Sequence, residues 1–406
     1  MSESPDPPGF EEIDWPDHET ARQTVTTERI VLAVGTVLIG SLFLFDRTVG
    51  LDVVGIDWRL HRVDWLIMLG GVILAAYVGI PAFRNAEVTR SVLQSLLSRP
   101  VYAVPTVVVG VLVFLGVFGP GLLTSPDLRF ESSFHPPFTQ QVPNAAVGDC
   151  QGSTSQIGDT IQRYCHGSLS AYPFGANGDG IAMDYLIADG ARTALYVAVF
   201  TAAFVVPAAT IVGVIAGLHG GLVDDLLMSY VDVQLSIPAI IVYFIGYMYW
   251  NPSLLLLLVT FGLLSWGGIA RLVRSEVLQR RETGYVKVAR SLGAPRGYLA
   301  RRHILPNITN TLVPAVFQLI ALLILVEAGI AFLGFQEAFV YSWGATIAEG
   351  VDQNALPAMP YDGDVLRPHN IWWVATFPAV ALAGAVVSCK LLGDGLRDAL
   401  DPRTQH

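Results

Sequence analysis

The side chains that carry chemistry in most enzymes are few and scattered in this sequence. A nucleotide-binding phosphate loop needs a Gly-Lys pair, but the two lysines, Lys287 and Lys390, follow Val286 and Cys389. The eight histidines form no His-x-x-x-His pair, and neither a Cys-x-x-Cys pair nor a Gly-x-Ser-x-Gly elbow occurs. We therefore expect no catalytic residue, no metal site and no cofactor bound by this chain, and we do not expect an enzyme.

One acidic residue, Glu327, lies deep within an apolar run that covers 312–335. A charged side chain in hydrocarbon costs on the order of 3 kcal/mol, so Glu327 should face the interior of a helix bundle or a water-filled path. Both a helix-packing hydrogen bond and a place in the lining of such a path stay open. Proton coupling is less favoured, because no second acidic residue or histidine lies near Glu327 in the apolar runs. Asp232 and Gln234 are further polar residues within an apolar run.

Two of the three cysteines, Cys150 and Cys165, share a long polar segment. If that segment lies outside the cell, oxidising conditions would allow them to form a disulfide. Cys389 lies in the last apolar run, where a packing role is expected.

The elements that position these residues follow from the composition. The chain has 406 residues, of which 52% are hydrophobic and only 14% are charged, whereas about 25% are charged in a soluble domain. Its apolar residues form long runs, each near the roughly 20 residues that a helix needs to cross a bilayer. These runs cover 30–45, 65–83, 101–123, 193–218, 226–250, 254–270, 312–335 and 371–392. The sequence therefore predicts an all-α polytopic membrane protein, a bundle of about eight transmembrane helices.

Charge placement predicts the orientation of this bundle. The loops at 84–99 and 271–302 are rich in Arg, and the second holds nine Lys or Arg against two Glu. Basic loops remain on the cytoplasmic side, so both termini should be cytoplasmic. The expected division is a disordered cytoplasmic tail (1–29), N-terminal transmembrane helices (30–123), an extracellular loop (124–190) too weakly patterned for a core of its own, and a helical core (191–403). This core contains a cytoplasmic loop at 271–311, and no nucleic acid partner is expected.

The segment 285–306, YVKVARSLGAPRGYLARRHILP, has the most specific local pattern. Val286, Ala289 and Arg290 fall on one side of a helix, and Gly293 is placed to end that helix in a left-handed cap. Pro295 prevents the helix from continuing. The pattern predicts a short helix, a turn and a second helix from about Arg296.

This segment resembles the cytoplasmic coupling loop of ABC-importer permeases. Ala289, Gly293 and the Leu305-Pro306 pair carry the resemblance, and the fuller pattern is similar to the second permease subunit of dipeptide and oligopeptide importers. Lys287 departs from this motif, in which an acidic residue is usual. The stretches 173–175, 190–192, 332–335, 342–350 and 391–403 are also similar, so the resemblance covers about 173–403 and leaves 1–100 outside.

The resemblance implies the permease core of a type I ABC importer, in which a short helix docks into a groove of a separate ATPase subunit. The residues that it assigns to this coupling are Tyr285, Val286, Lys287, Ala289, Arg290, Leu292, Gly293, Ala294, Leu305 and Pro306. Ala289 and Gly293 should then allow close approach of the ATPase. Glu327 coincides with a Glu common in the family, so the path that it could line would be the translocation path.

The expected function is that of a permease subunit of an ATP-driven importer, which translocates peptides or similar small solutes delivered by an external binding protein. The implied partners are two ABC ATPase subunits, a sister permease, that binding protein and the lipid membrane, and the partner subunits would use the ATP. The alternative is a self-sufficient secondary transporter, which would need inverted repeats and broken helices; neither is evident in the sequence. An intramembrane enzyme would need paired catalytic residues, and only Glu327 is available. Dipeptides, oligopeptides, metal chelates and sugars all stay open as substrates.

Overall fold

The computed structural model describes residues 26–50, 61–123, 130–138, 140–143, 147, 150–156, 163–170, 172–337, 340–351 and 368–400. Most of the predicted tail (1–29), part of the first connection (51–60) and the last residues of the core (401–403) lie outside these ranges. The described residues are mostly helical, which confirms the all-α class.

The first helices form a hairpin of a kind expected from two apolar runs. Helix α1 (Thr27–Thr48) packs against α2 (Arg62–Leu74), which continues through a π-helical turn into α3 (Ile80–Arg84). Arg84 Nη1 lies 3.2 Å from Glu28 Oε1 and joins the two ends of the hairpin. At 1.5 Å per residue, the 22 residues of α1 are long enough to cross hydrocarbon about 30 Å thick.

An amphipathic helix, α4 (Ala86–Ser98), connects this hairpin to the long helix α5 (Pro100–Leu122). Both pack against the last helix of the chain. Pro100 is the first residue of α5, a position that suits proline because its missing N–H would have no partner there.

The remaining helices form the core. They are α6 (Met183–Phe200), α7 (Val206–His219), α8 (Gly221–Ser236), α9 (Ala239–Tyr249), α10 (Leu254–Ser265), α11 (Gly267–Arg281), α12 (Gly284–Ser291), α13 (Arg296–Leu299), α14 (Leu305–Phe332), α15 (Trp343–Val351) and α16 (Trp372–Leu400). Within the described ranges, seven helical stretches are long and apolar enough to cross a membrane, or eight if the bent pair α8–α9 counts as one. This agrees with the prediction of about eight.

Three π-helical turns interrupt the described helices, at 75–79, 201–205 and 300–304. A proline follows each turn after one intervening residue, and these prolines are Pro81, Pro207 and Pro306. Within a helix, proline lacks the N–H for the ladder and its ring clashes with the carbonyl four residues earlier. The wider π turn relieves that clash, so each helix continues through its proline.

The run 226–250, predicted as one crossing, is broken. Helices α8 and α9 are bent by 70° at Ile237 and Pro238. Ile237 is extended (φ −90°, ψ 117°), as expected for a residue before proline. The expectation that this chain lacks broken helices is therefore wrong.

Helix pairs approach closely at small residues. A Cβ added at Gly213 would lie 2.6 Å from the carbonyl oxygen of Ala270, and one at Gly217 would lie 2.7 Å from Val277 Cβ. The glycines of α7 therefore allow α7 and α11 to pack closely, as small residues do between membrane helices.

The polar segment before α6 contains a small antiparallel sheet that the sequence did not predict. Strands β1 (Gln141–Pro143), β2 (Thr154–Gln156) and β3 (Arg163–His166) pair in the order β1-β3-β2. Val142 lies opposite Cys165. Cys150 and Cys165 form a disulfide with an S–S distance of 2.02 Å.

This segment also has a core, contrary to expectation. Its buried residues come from the sheet, the loops beside it and the starts of α6 and α16, and they include Phe134, Val142, Ile181 and Trp373. Trp373 Nε1 donates to the carbonyl oxygen of Ala176 at 3.1 Å. Trp373 is fully buried in the protein, although tryptophans at the end of a membrane helix commonly lie at the membrane interface.

The bundle has two distinct ends. We call the end that carries 271–304 the basic end, and the end that carries 130–182 the loop end. Ion pairs at the basic end join Arg99 to Asp398 at 3.9 Å and Arg274 to Asp224 at 2.5 Å. Helices α2, α6 and α10 begin at the loop end, and α14 ends there.

Candidate functional site

The basic loop folds as the sequence predicts. Helix α12 ends at Ser291, and Gly293 adopts a left-handed conformation with φ 85°. The N–H of Gly293 donates to Arg290 O, and that of Ala294 donates to Ala289 O, both at 3.1 Å. These two bonds satisfy carbonyls at the end of the helix, as in a Schellman cap.

One face of α12 packs against its own chain. Val286 and Ala289 are buried in a small cluster with Ala294 and Leu299, and Tyr298 covers it. Leu299 belongs to α13, so the cluster holds the two short helices together. Ala289 is therefore not exposed for a partner, which differs from the expectation that it allows close approach.

A second face of α12 carries apolar side chains in water. Tyr285, Val288 and Leu292 are 47%, 59% and 45% exposed, and their spacing of three and four residues places them on one side of the helix. We call these three residues the exposed stripe. Val288 was missed in the sequence, although the spacing of the three residues could have identified it.

Basic side chains surround the loop. Lys287, Arg290, Arg296, Arg301 and Arg302 are all exposed. Lys287 Nζ lies 3.0 Å from Glu282 Oε2, and its hydrogen bond lowers the pKa of the Glu282 carboxyl. The lysine that departs from the family motif thus pairs within its own loop.

The loop is connected to the bundle at both sides. Asn307 Nδ2 donates to the Tyr285 hydroxyl at 3.3 Å, and the Leu305-Pro306 pair begins α14 directly after the π turn. On the other side, Arg281 Nη1 donates to Gly217 O at 2.9 Å. A force on α12 would therefore reach α14 and the α7–α11 pair.

The break between α8 and α9 is polar and open. Ser236, Ile237 and Pro238 are exposed, and Asp232 forms an exposed ion pair with Arg271 of α11. The Gln234 side chain is buried and its Nε2 donates to the Leu263 carbonyl. Among the described residues, its Oε1 has no hydrogen-bond partner.

Glu327 lies in the last two turns of α14, near the loop end, and is only 7% exposed. The Ser342 side chain, just before α15, lies beside the Glu327 carboxyl. It also lines a cavity of about 20 Å³ with Tyr243 and Glu337, enough for one water. A helix-packing role and a place in the translocation path both stay predictions for Glu327. Glu337 is a nearby carboxylate, but it follows the apolar run.

Comparison of the sequence with known proteins identifies the family of this chain. Residues 209–406 match the family described as "Binding-protein-dependent transport system inner membrane component". The chain is 32% identical over 233 residues to a putative peptide permease of Brucella ovis, which covers 57% of this chain and 73% of the relative. It is 31% identical over 232 residues to the oligopeptide transport system permease protein OppC of Haemophilus influenzae, which covers 57% and 70%. It is 31% identical over 218 residues to the dipeptide transport system permease protein DppC of Bacillus subtilis, which covers 53% and 64%. The chain therefore belongs to the family of binding-protein-dependent transport system inner membrane components, the permease subunits of ABC importers.

Proposed function

We propose that this chain translocates short peptides or similar small solutes, which an external binding protein delivers and two ABC ATPase subunits drive with ATP. The names of the relatives support the substrate class. The Arg-rich basic end supports a cytoplasmic position for that end. A sister permease completes the path, and no nucleotide is bound by this chain.

The exposed stripe is the observation that carries the proposal. Three neighbouring apolar side chains on a short helix are a feature of helices that insert into a groove of a partner. The opposite face is already packed against α13, so the stripe is available to a second protein. The basic side chains of the loop favour an acidic surface around that groove. We therefore assign Tyr285, Val288 and Leu292 as the contacts with the ATPase.

The broken helix supports a position for the translocation path. In hydrocarbon every backbone N–H and C=O must be paired, so exposed non-helical backbone at membrane depth must line water or lie against protein. Gln234 bonds to Leu263, nine residues after the start of α10. At 1.5 Å per residue this is about 14 Å, close to the middle of the bilayer.

The side chains beside the α8–α9 break differ from those of a lipid-facing surface. The exposed face of α5 is apolar, with Val104, Val107 and Val111, whereas the α8–α11 surface carries the Asp232–Arg271 pair. This pair lies toward the basic end of the bundle, and a charged surface there faces water or protein rather than lipid. We therefore assign the α8–α9 break to the path or to the interface with the sister permease.

The secondary-transporter alternative gains one feature, because such transporters use broken helices. A secondary transporter has no ATPase subunit to dock on the exposed stripe at the basic end. The alternative also predicts transport without ATPase subunits.

The test is Val288→Glu, which places a charge in the stripe. Burial of a valine contributes roughly 1.5–3 kcal/mol, so we expect the retained ATPase to fall by at least about tenfold, together with loss of peptide uptake. The matched control is Val88→Glu on α4, where Val88 is 60% exposed and lies outside the loop. Membrane insertion of both variants is checked by the amount of protein in purified membranes. Normal uptake and normal ATPase retention in Val288→Glu would contradict the assignment.

A further inference from the structure

A cavity of about 660 Å³ opens at the loop end, between the start of α2 and the turn from α9 to α10. Small-molecule sites in proteins range over roughly 300–1,000 Å³. The cavity is at the opposite end of the bundle from the exposed stripe. In an importer with a cytoplasmic basic end, this is the end at which solutes enter.

The walls of the cavity carry opposite charges. His61 and Arg62 lie on the α2 side, and Glu337 lies on the side of the core. Arg62 is exposed, and no ion pair joins it to Glu337 among the residues that the structure describes. Glu337 Oε2 accepts a hydrogen bond from the N–H of Leu254 at 3.3 Å, which holds the carboxylate at the start of α10.

The rest of the lining is largely apolar. Apolar lining comes from Trp250, beside the α9–α10 turn, and from Leu255, Leu256 and Val259 in the first turns of α10. A ligand that satisfies the whole cavity therefore needs an anionic group, a cationic group and an apolar part.

The cationic wall is fixed to the core by a buried network. The Tyr196 hydroxyl donates to Asp64 Oδ1 at 2.5 Å, and Arg192 Nη2 lies 3.4 Å from the same oxygen. Asp64 is two residues after Arg62 and is buried. Because removal of one partner from such a network leaves a buried charge unpaired, the start of α2 is held firmly against α6.

We infer that this cavity binds a zwitterionic solute with an apolar side chain on its way to the path, an inference that rests on the proposed function. The carboxylate of the solute binds Arg62, its ammonium group binds Glu337, and its side chain packs on Leu255 and Trp250. Charge-assisted hydrogen bonds of this kind are stronger than neutral ones. The α1–α2 hairpin, which lies before the family match at 209–406, thereby supplies half of a recognition site.

The test measures binding of Leu-Leu, its C-terminal amide and its N-acetyl form to the complete transporter in nanodiscs, without the external binding protein. For wild type we expect Leu-Leu to bind more tightly than either blocked form. Arg62→Gln should weaken Leu-Leu binding by about tenfold. It should leave binding of the C-terminal amide unchanged, because the amide has no carboxylate to pair with Arg62. Glu337→Gln should weaken Leu-Leu similarly and leave the N-acetyl form unchanged. In Glu337→Gln, the oxygen of the glutamine side chain can still accept the hydrogen bond from the N–H of Leu254.

The control is Arg47→Gln at the end of α1, an exposed residue at the same end that does not line this cavity. It should bind all three compounds as wild type does. Equal binding of the three compounds by wild type, or equal effects of Arg62→Gln and Arg47→Gln, would overturn the inference. Co-purification of phosphatidylethanolamine with wild type would also overturn the inference, if the lipid is lost in Arg62→Gln and Leu-Leu does not displace it.

Uptake separates this inference from the proposed function. ATP-dependent uptake of Leu-Leu in the presence of the binding protein, without direct binding to the permease, overturns the zwitterion site alone. If no peptide is taken up by the complete system, the proposed function fails as well.

Discussion

Glu349 is a partly buried carboxylate that joins α15 to the segment before α6. Its Oε2 accepts from Asn177 Nδ2 at 3.0 Å, and its Oε1 accepts from the N–H of Gly178 at 2.5 Å. Burial raises the pKa of the Glu349 carboxyl above its usual value of 4.5, although these two hydrogen bonds oppose the rise. The folded state therefore binds this proton more tightly than the unfolded state does.

This residue predicts a pH dependence of stability. A carboxyl with a raised folded pKa contributes stability that is fully present below the unfolded pKa and is lost as pH rises through the folded pKa. We expect the contribution of Glu349 to fall as pH rises from 4.5 through the raised folded pKa. Glu349→Gln should remove that part of the change in melting temperature, because glutamine does not titrate.

The control for this prediction is Glu131→Gln, an exposed residue of the same end. Thermal unfolding in detergent at several pH values between 4.5 and 7.5 would measure the effect. An unchanged pH profile in Glu349→Gln would contradict it.

At the scale of the element, the end of α12 depends on one glycine. Gly293 has φ 85°, yet a Cβ added there would meet nothing within 4 Å. A substitution is therefore harmful through the backbone, since a left-handed conformation costs an L-residue roughly 1–2 kcal/mol and is a genuine outlier for a β-branched one. A clash between the new side chain and the rest of this chain is not the cause.

Gly293→Val should thus block peptide uptake by misplacing the exposed stripe, while the permease remains inserted. Gly293→Asn should retain more uptake, because asparagine tolerates the left-handed region. Arg280→Ala, on the flank of the loop, should be mild. Uptake assays of the three variants would test this order, and normal uptake in Gly293→Val would remove the case for a coupling helix. If Asn and Val are equally inactive, close contact of a partner at Gly293 is the better explanation.

At the scale of the whole molecule, the loops at 271–304 and 130–182 lie at opposite ends of the bundle. The basic end includes residues of α3, α4, α8, α11 to α13 and the end of α16, and the sheet lies at the other end. The positive-inside rule then predicts one orientation for the complete bundle.

Cysteines introduced one at a time can test that orientation in a Cys389→Ala background, because Cys150 and Cys165 are joined in a disulfide. Cysteine at Arg301, which is exposed in the basic loop, should react with a membrane-impermeant reagent only after the cells are opened. Cysteine at Thr154, exposed on β2, should react in intact cells. Labelling of the Arg301 position from outside would reverse the topology and remove the proposed contact with cytoplasmic ATPases.

Local sequence was sufficient to predict those features of the fold that depend on residues close together in the chain. The cap at Gly293 and the new helix at Arg296 follow from backbone preferences of glycine and proline within a few residues. The membrane spans follow from run lengths, because a bilayer requires about the same length of every helix. The bend at Pro238 had a local signal too, but proline is compatible with a continuous helix when a π turn precedes it, as at Pro207 and Pro306.

The sequence by itself determined the class of the protein, most of its spans and the shape of its basic loop, because each depends on composition or on contacts within a few residues. Only the tertiary structure decided which face of α12 remains exposed, because Leu299 of α13 buries the other face. Only the tertiary structure joined Arg62 to Glu337 across one cavity, since 275 positions of sequence separate them and no local preference connects residues so far apart. Packing between distant segments decides which side chains share a surface.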